Sequence, residues 1–201
     1  MNKNDRLYKQ KGDTCAISCM MMVLEYYKII EKANWYDERR LYRIYGSEYM
    51  RGTPFSALVF HMAKNGLDVA IYHEDENLFN NNQLGLSSED FALAMNEYKE
   101  YLKLAENKGA RILNGININT DMLKKELENG NLVILAGQIS GMYHAILLTG
   151  YNENLFEVCD PLYNEKQTRT FSEIDEYMNT NIGKWCITVN DKTKEKTNSV
   201  S

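Results

Sequence analysis

The hydrophobic pattern divides the chain into a helix-rich first half and a strand-rich second half. Residues 14–28 are apolar on nearly every face, which is typical of a helix that is buried on all sides. Amphipathic or capped stretches predict five further helices, at 34–45, from Thr53-Pro54 to Gly66, from Ser87 to about 107, from Thr120 to Gly130, and at 172–179. Short apolar runs predict strands at 67–72, 132–138, 144–151, 155–160 and 184–189. Helices followed by antiparallel strands predict an α+β domain, with Asp13 or Thr14 capping its central first helix.

Composition favours a folded protein that lies neither in a membrane nor on nucleic acid. A chain of 201 residues that is 44% hydrophobic can bury a substantial core, and one domain over residues 1–190 is expected. Residues 191–201 are mostly polar and are predicted to be disordered. A net charge of −5 argues against nucleic-acid binding, and no apolar run approaches the roughly 18 residues of a membrane span.

The N-terminus and the cysteine content together predict a cytoplasmic location. Residues 1–5 are polar and contain no apolar segment of the kind that secretory signals carry. Four cysteines in a chain of this length, without such a signal, do not indicate a disulfide framework. We therefore expect reduced thiols.

Three side chains that could take part in catalysis lie at the boundaries of predicted elements. Cys15 opens the buried first helix, His144 opens an apolar strand, and Asp160 closes the next strand just before Pro161. Cysteine reacts as the thiolate, which both a helix N-terminus and a nearby imidazolium favour. Gln10, upstream of the thiol, would supply a hydrogen-bond donor to an oxyanion. The pattern indicates a site for nucleophilic cysteine chemistry.

This order of residues resembles the papain-like superfamily, and most closely the double-glycine leader peptidases and their stand-alone relatives. In that family a Gln precedes the nucleophile, a Cys or small residue follows it by four positions, and Asp-Pro follows the His by about sixteen. The match covers residues 5–30 and 110–190 and consists of Gln10, Cys15, Cys19, His144 and Asp160-Pro161. Two departures are Ala16, where the family usually has Gly, and Gln10, which lies five rather than six residues before the thiol.

The resemblance implies a fold and a role for each matching residue. The fold is papain-like, with the nucleophile helix packed on an antiparallel sheet and residues 31–110 as a largely helical insertion. Cys15 would attack an acyl carbon, His144 would take the thiol proton, and Asp160 would orient the imidazole. Gln10 and the backbone N–H of Cys15 would hold the oxyanion. No cofactor is implied.

Other interpretations of these residues are a metal site or simple packing in the core. Cys19 lies one helical turn deeper than Cys15, where a buried thiol is inert. A zinc site built from Cys15, Cys19, His144 and Asp160 is disfavoured because the two Cys are not separated by the usual two residues. Cys159 adjoins Asp160 on a strand and should face the opposite side, and Cys186 is expected in the core. His61 and His73 lack partners at a recognisable spacing and are expected to be surface or packing residues.

The identity of the acyl acceptor separates the candidate functions. Water makes the protein a leader-type peptidase, whereas an amine makes it an amide-forming enzyme, as in papain-like relatives of closthioamide-type biosynthesis. We favour amide formation narrowly, from a carrier-protein thioester and an amine. Four arginines could dock an acidic carrier protein, and these are Arg39, Arg40, Arg43 and Arg51. They could equally form a solvated helix surface whose charge Glu38 and Glu48 balance. A non-catalytic leader-peptide binding module is a third alternative, which the presence of both Cys15 and His144 opposes.

Overall fold

The structure is a computed structural model, and it describes residues 7–76, 85–163, 165–180 and 183–191. Its helices are α1 (Cys15–Tyr26), α2 (Trp35–Tyr45), α3 (Phe55–Lys64), α4 (Ser88–Glu106), α5 (Thr120–Glu128) and α6 (Phe171–Met178). Its strands are β1 (Leu67–His73), β2 (Arg111–Asn114), β3 (Leu132–Ile139), β4 (Met142–Asn152), β5 (Leu155–Cys159), β6 (Lys166–Thr170) and β7 (Trp185–Asp191).

The seven strands form one sheet in the order β2-β1-β7-β3-β4-β5-β6. Neighbouring strands are antiparallel throughout the described residues, except that β1 and β2 run parallel. The predicted α+β class with a mainly antiparallel sheet is therefore confirmed.

Helix α1 lies at the centre of the molecule, as its all-round apolar sequence predicts. Every residue from Ala16 to Leu24 is buried, and the helix packs against β3, β4, α2 and α3. Strand β3 faces α1 with Ile134, whereas its neighbour Val133 faces a second core under α5 and α6. Alternation along the central strands thus supplies two cores, one on each face of the sheet.

The starts of α5 and α1 differ in how they are capped. Thr120 opens α5, as predicted, and the residue before it, Asn119, is the cap, whose side chain accepts a hydrogen bond of 2.9 Å from the backbone N–H of Met122. Thr14 does precede α1, yet its side chain makes no capping hydrogen bond. Its hydroxyl donates instead to the buried carboxylate of Glu38 on α2. A contact between distant segments has replaced the local cap.

Strands β2 and β6 are absent from the sequence-based prediction. Both lie at an edge of the sheet, and the sequence of β6, Lys166–Thr170, has no apolar residue. Edge strands of this kind carry no hydrophobic alternation, so the pattern that identifies buried strands does not detect them. The other strand predictions agree with the structure to within two residues at each end.

The stretch 31–110 contains α2, α3, β1 and α4. Its strand β1 pairs with β7 along its whole length, so this stretch also extends the central sheet. Its description as an insertion and the single domain over 1–190 stay predictions. The predicted disordered tail lies outside the described residues, apart from Asp191 at the end of β7. In the part of the chain that the structure describes, no helix is long and apolar enough to cross a membrane.

Candidate active site

Cys15 is the first residue of α1, and His144 is the third residue of β4. The helix is fixed to this strand one turn further on, where the thiol of Cys19 donates to the backbone oxygen of Ala145 over 3.5 Å. That contact places the N-terminus of α1 beside the start of β4. Cys15 and His144 therefore line the same cavity, with the thiol close enough to the imidazole to raise its pKa.

Asp160 holds the other side of the imidazole. Cys159 pairs with Leu147 in the antiparallel β4–β5 ladder, so the next residue emerges close to the beginning of β4. His144 Nε2 lies 2.7 Å from Asp160 Oδ1, and both side chains are buried. Because Nε2 donates to the carboxylate, Nδ1 is the ring atom left for Cys15.

The surroundings favour the charged forms of both partners. Burial alone would lower the pKa of His144, but its hydrogen bonds with Asp160 and Cys15 outweigh burial and raise the pKa to about 9. Burial would raise the pKa of Asp160, yet hydrogen bonds from His144 and the N–H of Leu162 hold it below its usual value. An imidazolium beside the thiol is the environment that favours a nucleophilic thiolate.

Arg169 is a site residue that the sequence did not reveal. Its Nη2 lies 3.1 Å from Asp160 Oδ2, and its side chain is only 17% exposed. The guanidinium also lies over the ring of Tyr177, at 5.4 Å from the centroid. The residue belongs to β6, whose sequence has no apolar residue, and it lies nine residues after Asp160.

Tyr177 connects Arg169 to the backbone of His144. Its hydroxyl donates to the backbone oxygen of His144 over 2.8 Å. The ring lies directly on Gly137, the residue paired with His144 in the β3–β4 ladder. A Cβ on Gly137 would come within 2.3 Å of the Tyr177 ring, so only glycine fits there.

Gln10 lies close enough to the thiol to line the same cavity. Its backbone N–H donates to the oxygen of Pro161 over 2.9 Å, which joins the segment before α1 to the Asp-Pro turn. Its side-chain Nε2 donates to the oxygen of Gly12 over 2.6 Å. A carboxamide nitrogen carries two hydrogens, so the second is available to a ligand in the cavity.

A cavity of about 370 Å³ opens beside Cys15 and His144. Its walls come from the segment before α3, from α4, from the β3–β4 hairpin and from the start of β7. Most of the lining is apolar and includes Met50, Pro54, Phe55, Ile139 and Trp185. Its size and character suit an apolar group of a ligand bound next to the thiol.

The four arginines have different surroundings. Arg39, Arg40 and Arg43 are exposed on α2, where Arg40 pairs with Asp37 over 2.8 Å. Arg51 lies instead at the rim of the cavity and pairs with Asp13 over 2.6 Å. The expectation that Glu38 balances these charges is wrong, because its side chain is fully buried.

The other three cysteines are buried free thiols, as predicted for Cys19 and Cys186. Burial raises the pKa of Cys159 to about 11 and also raises the pKa values of Cys19 and Cys186. Cys15 is the partly exposed member of the set. Over the described ranges, no group of three His, Cys, Asp or Glu side chains is arranged to hold a metal ion.

The other two histidines do have hydrogen-bonding partners, which the sequence did not predict. His61 Nδ1 lies 2.9 Å from the hydroxyl of Tyr45. His73 is fully buried, with Nδ1 3.0 Å from Asn114 Oδ1 and Nε2 2.8 Å from the hydroxyl of Tyr98. Burial lowers the pKa of each to about 4, so both are neutral packing residues at neutral pH.

The α+β fold and the Cys–His–Asp arrangement are features of the papain-like cysteine peptidase superfamily. The model of the Peptidase_C39 like family matches residues 2–191, so the chain belongs to that family. This membership supports cysteine-peptidase or related activity. A search of the curated proteins found no match.

One solved structure that resembles the chain is a crystal structure from Bacillus anthracis, described provisionally as a C39-like peptidase. The two are 14% identical, with 96% of this chain and 97% of that chain covered and a TM-score of 0.46. A likeness at that score carries no argument about activity.

Proposed function

We propose that the protein is a cysteine peptidase that forms an S-acyl thioester on Cys15 and releases the acyl group to water. The observation that carries the proposal is the buried hydrogen bond between His144 and Asp160, with Cys15 lining the same cavity as the imidazole. Family membership supports the same chemistry. The sequence favoured an amine as the acceptor, and the membership shifts that preference towards water.

Each residue has a defined part in the proposed reaction. His144 takes the thiol proton through Nδ1, while Asp160 holds the tautomer through Nε2. The thiolate of Cys15 attacks the acyl carbon, the scissile C–N bond breaks, and His144 returns the proton to the leaving amine. Water then attacks the thioester and regenerates the thiol.

Gln10 is proposed as the oxyanion donor, together with the backbone N–H of Cys15. The tetrahedral intermediate carries a negative charge on the former carbonyl oxygen, and a donor fixed in advance stabilises that charge. The position of Gln10 on the cavity wall and its fixed backbone support this role.

The acyl side of the substrate is proposed to carry a bulky apolar group. The cavity beside the thiol has walls of Met50, Phe55, Ile139 and Trp185 and a volume of about 370 Å³. Burial of an apolar side chain there would contribute roughly 1.5–3 kcal/mol. A peptide with only glycines near the scissile bond would leave this surface uncovered.

Amide formation is the second candidate, and the exposed face of α2 is the observation that favours it. Arg39, Arg40 and Arg43 lie there with Trp35 and Tyr36, which are 49% and 71% exposed. A basic surface with aromatic residues suits an acidic carrier protein that delivers a thioester. An amine held beside the thioester can outcompete water, because well-oriented groups reach effective molarities of roughly 10⁵–10⁸ M.

We propose a cytoplasmic location, since reducing conditions keep thiols such as Cys15 free. The four free cysteines support this proposal.

A panel of acyl-peptide amides and the matching thioesters tests the proposed function. The residue before the scissile bond is varied from glycine to leucine and phenylalanine. Each substrate is incubated with and without added primary amines, and products are identified by mass spectrometry. We expect cleavage after the bulky apolar residues, free acid as the product, and an acyl-Cys15 adduct in acid-quenched samples. Cys15→Ala serves as the control without a nucleophile.

Two results would change the conclusion. If amide forms faster than free acid across the amine panel, the protein is an amide-forming enzyme and not a peptidase. Absence of both turnover and acyl-Cys15, in a protein that still binds leader-type peptides, would favour a non-catalytic binding module.

A further inference from the structure

The structure points to Glu38 as a positioning residue for the oxyanion donor, and this proposal rests on the proposed function. We propose that its carboxylate fixes the segment between Tyr8 and Thr14, which carries Gln10 and leads into Cys15. Glu38 belongs to α2, outside the sequence motif that identifies the site.

Three hydrogen-bond donors to Glu38 come from this one segment. Oε1 accepts from the backbone N–H of Lys11 over 2.8 Å and from the hydroxyl of Thr14, and Oε2 accepts from the hydroxyl of Tyr8. The donors therefore lie on both sides of Gln10 in sequence. A single carboxylate closes the segment into a loop around the residue that faces the cavity.

The carboxylate has no exposure to solvent, so these donors replace its hydration. Burying an ionised group is costly unless hydrogen bonds satisfy it, and bonds to a charged acceptor are the strong ones. Loss of the charge would leave three donors facing a neutral group. The segment would then lose the contacts that define its shape.

The support for Glu38 is itself rigid. Asn34 caps the start of α2 by accepting from the N–H of Asp37 over 3.1 Å, and its backbone oxygen accepts from the N–H of Glu38 over 3.1 Å. The other end of the loop is equally anchored, because Thr14 uses its hydroxyl on Glu38 rather than on α1. The conformation before the nucleophile is thus set by a neighbouring helix.

Two reactions of Cys15 separate positioning of the oxyanion donor from general support of the fold. Iodoacetamide alkylates the thiolate as the S–C bond forms and iodide leaves, without an oxyanion. A p-nitrophenyl ester acylates it through a tetrahedral oxyanion, after which the C–O bond breaks and p-nitrophenolate leaves. Only the second reaction depends on Gln10.

We expect Glu38→Gln to slow acylation by up to ~10²-fold, since misplacing a catalytic group by about 1 Å has effects of that size. Alkylation of Cys15 should stay within about twofold of wild type. Glu25→Gln is the matched control, because Glu25 also binds a backbone amide, that of Ala33 over 2.9 Å, but away from the segment. It should change neither rate.

A double-mutant cycle tests whether Glu38 acts through Gln10. The double variant Glu38→Gln, Gln10→Ala should acylate no more slowly than Gln10→Ala alone, since residues that act as a unit are not additive. The proposal would be overturned if the two substitutions reduced the acylation rate independently, so that their effects multiplied in the double variant. It would also be overturned if Glu38→Gln slowed alkylation as much as acylation, or left acylation unchanged.

Tyr8→Phe keeps the test open if Glu38→Gln does not fold, because it removes one donor and leaves the carboxylate. It should show the same split between acylation and alkylation on a smaller scale, and an equal effect on both reactions would overturn the proposal. Failure of the proposed function is distinguishable, since it would show as a wild-type Cys15 that neither ester nor iodoacetamide modifies.

Discussion

Arg169 Nη2 lies 3.1 Å from Asp160 Oδ2, so the carboxylate that holds His144 through one oxygen has a largely buried cation on the other. The imidazole, the carboxylate and the guanidinium form a continuous chain behind Cys15. A positive charge at its end favours ionised Asp160, and ionised Asp160 in turn favours the protonated imidazole.

Replacement of Arg169 by Met should therefore move the acid limb of the activity profile to higher pH. Hydrogen bonds from His144 and Leu162 and the charge of Arg169 all lower the pKa of Asp160, and the substitution removes the last of these. The pH dependence of kcat/KM over pH 3–7 measures the shift. Lys166→Met is the control on the same strand, because Lys166 pairs with Glu157 over 2.9 Å instead. An acid limb that stays in place would contradict this role.

The three central residues of the site could be found from sequence because each lies at the end of an apolar element. Cys15 begins a buried helix, His144 lies near the start of a buried strand, and Asp160 follows another strand directly. Local patterns identify such boundaries, and a short β4–β5 connection brings the last two together. The resemblance then supplied the order and the roles.

The supporting residues could not be found because their contacts are long-range and their sequences are ordinary. Glu38 looks like one more charge on an amphipathic helix, yet its partners lie 24–30 residues earlier in the chain. Arg169 lies on an edge strand that has no hydrophobic signal. Which face of a helix or edge strand meets the site is decided by tertiary packing, which one sequence does not display.

Iodoacetamide at neutral pH should alkylate Cys15 well before the other three cysteines. Cys15 is partly exposed and lines the same cavity as His144, whereas the others are at most 1% exposed. Burial also raises the pKa values of Cys19, Cys159 and Cys186, which suppresses their thiolates. Peptide mapping by mass spectrometry measures the order, with urea-unfolded protein as the control in which all four should react. Equal labelling of Cys15 and Cys19 in the folded protein would refute the assignment.

His144→Ala should reduce turnover about as much as Cys15→Ala, because the two act as a unit. Asp160→Asn should leave a weaker but measurable enzyme, with a loss of ~10²–10⁴-fold, since it disturbs orientation and tautomer without removing the base. Steady-state kinetics on the best peptide of the panel measures both. Circular dichroism should show intact folds, and a near-normal rate for His144→Ala would remove the histidine from the mechanism.

Gly137→Ala should destabilise the fold by about 1–3 kcal/mol, the usual effect of overpacking a tight site. The new Cβ would come within 2.3 Å of the Tyr177 ring, which must move and weaken its bond to the backbone oxygen of His144. Urea denaturation measures the loss. Gly12→Ala is the control, because a Cβ there meets no atom within 4 Å. Equal stability of the two variants would contradict the close packing of Tyr177.

The stability that His144 contributes should decrease as the pH rises. Burial opposes its charge, but hydrogen bonds with Asp160 and Cys15 raise its pKa from 6.5 to about 9 in the folded protein. The folded state therefore binds the proton more tightly than the unfolded state does. Its contribution is complete below about pH 6.5 and is lost as the pH rises through about 9. A pKa rise from 6.5 to about 9 corresponds to at most about 3 kcal/mol.

Urea denaturation of the wild type and His144→Gln at several pH values between 6 and 9.5 measures this contribution. The difference in free energy of unfolding between the two proteins should shrink as the pH rises, because groups that do not interact with His144 cancel in the difference. In the wild type, the lowered pKa of Asp160 keeps this carboxylate ionised over the whole range. A difference that is constant or grows with pH would mean that His144 is neutral in the folded protein, and the thiol would then lack its imidazolium partner.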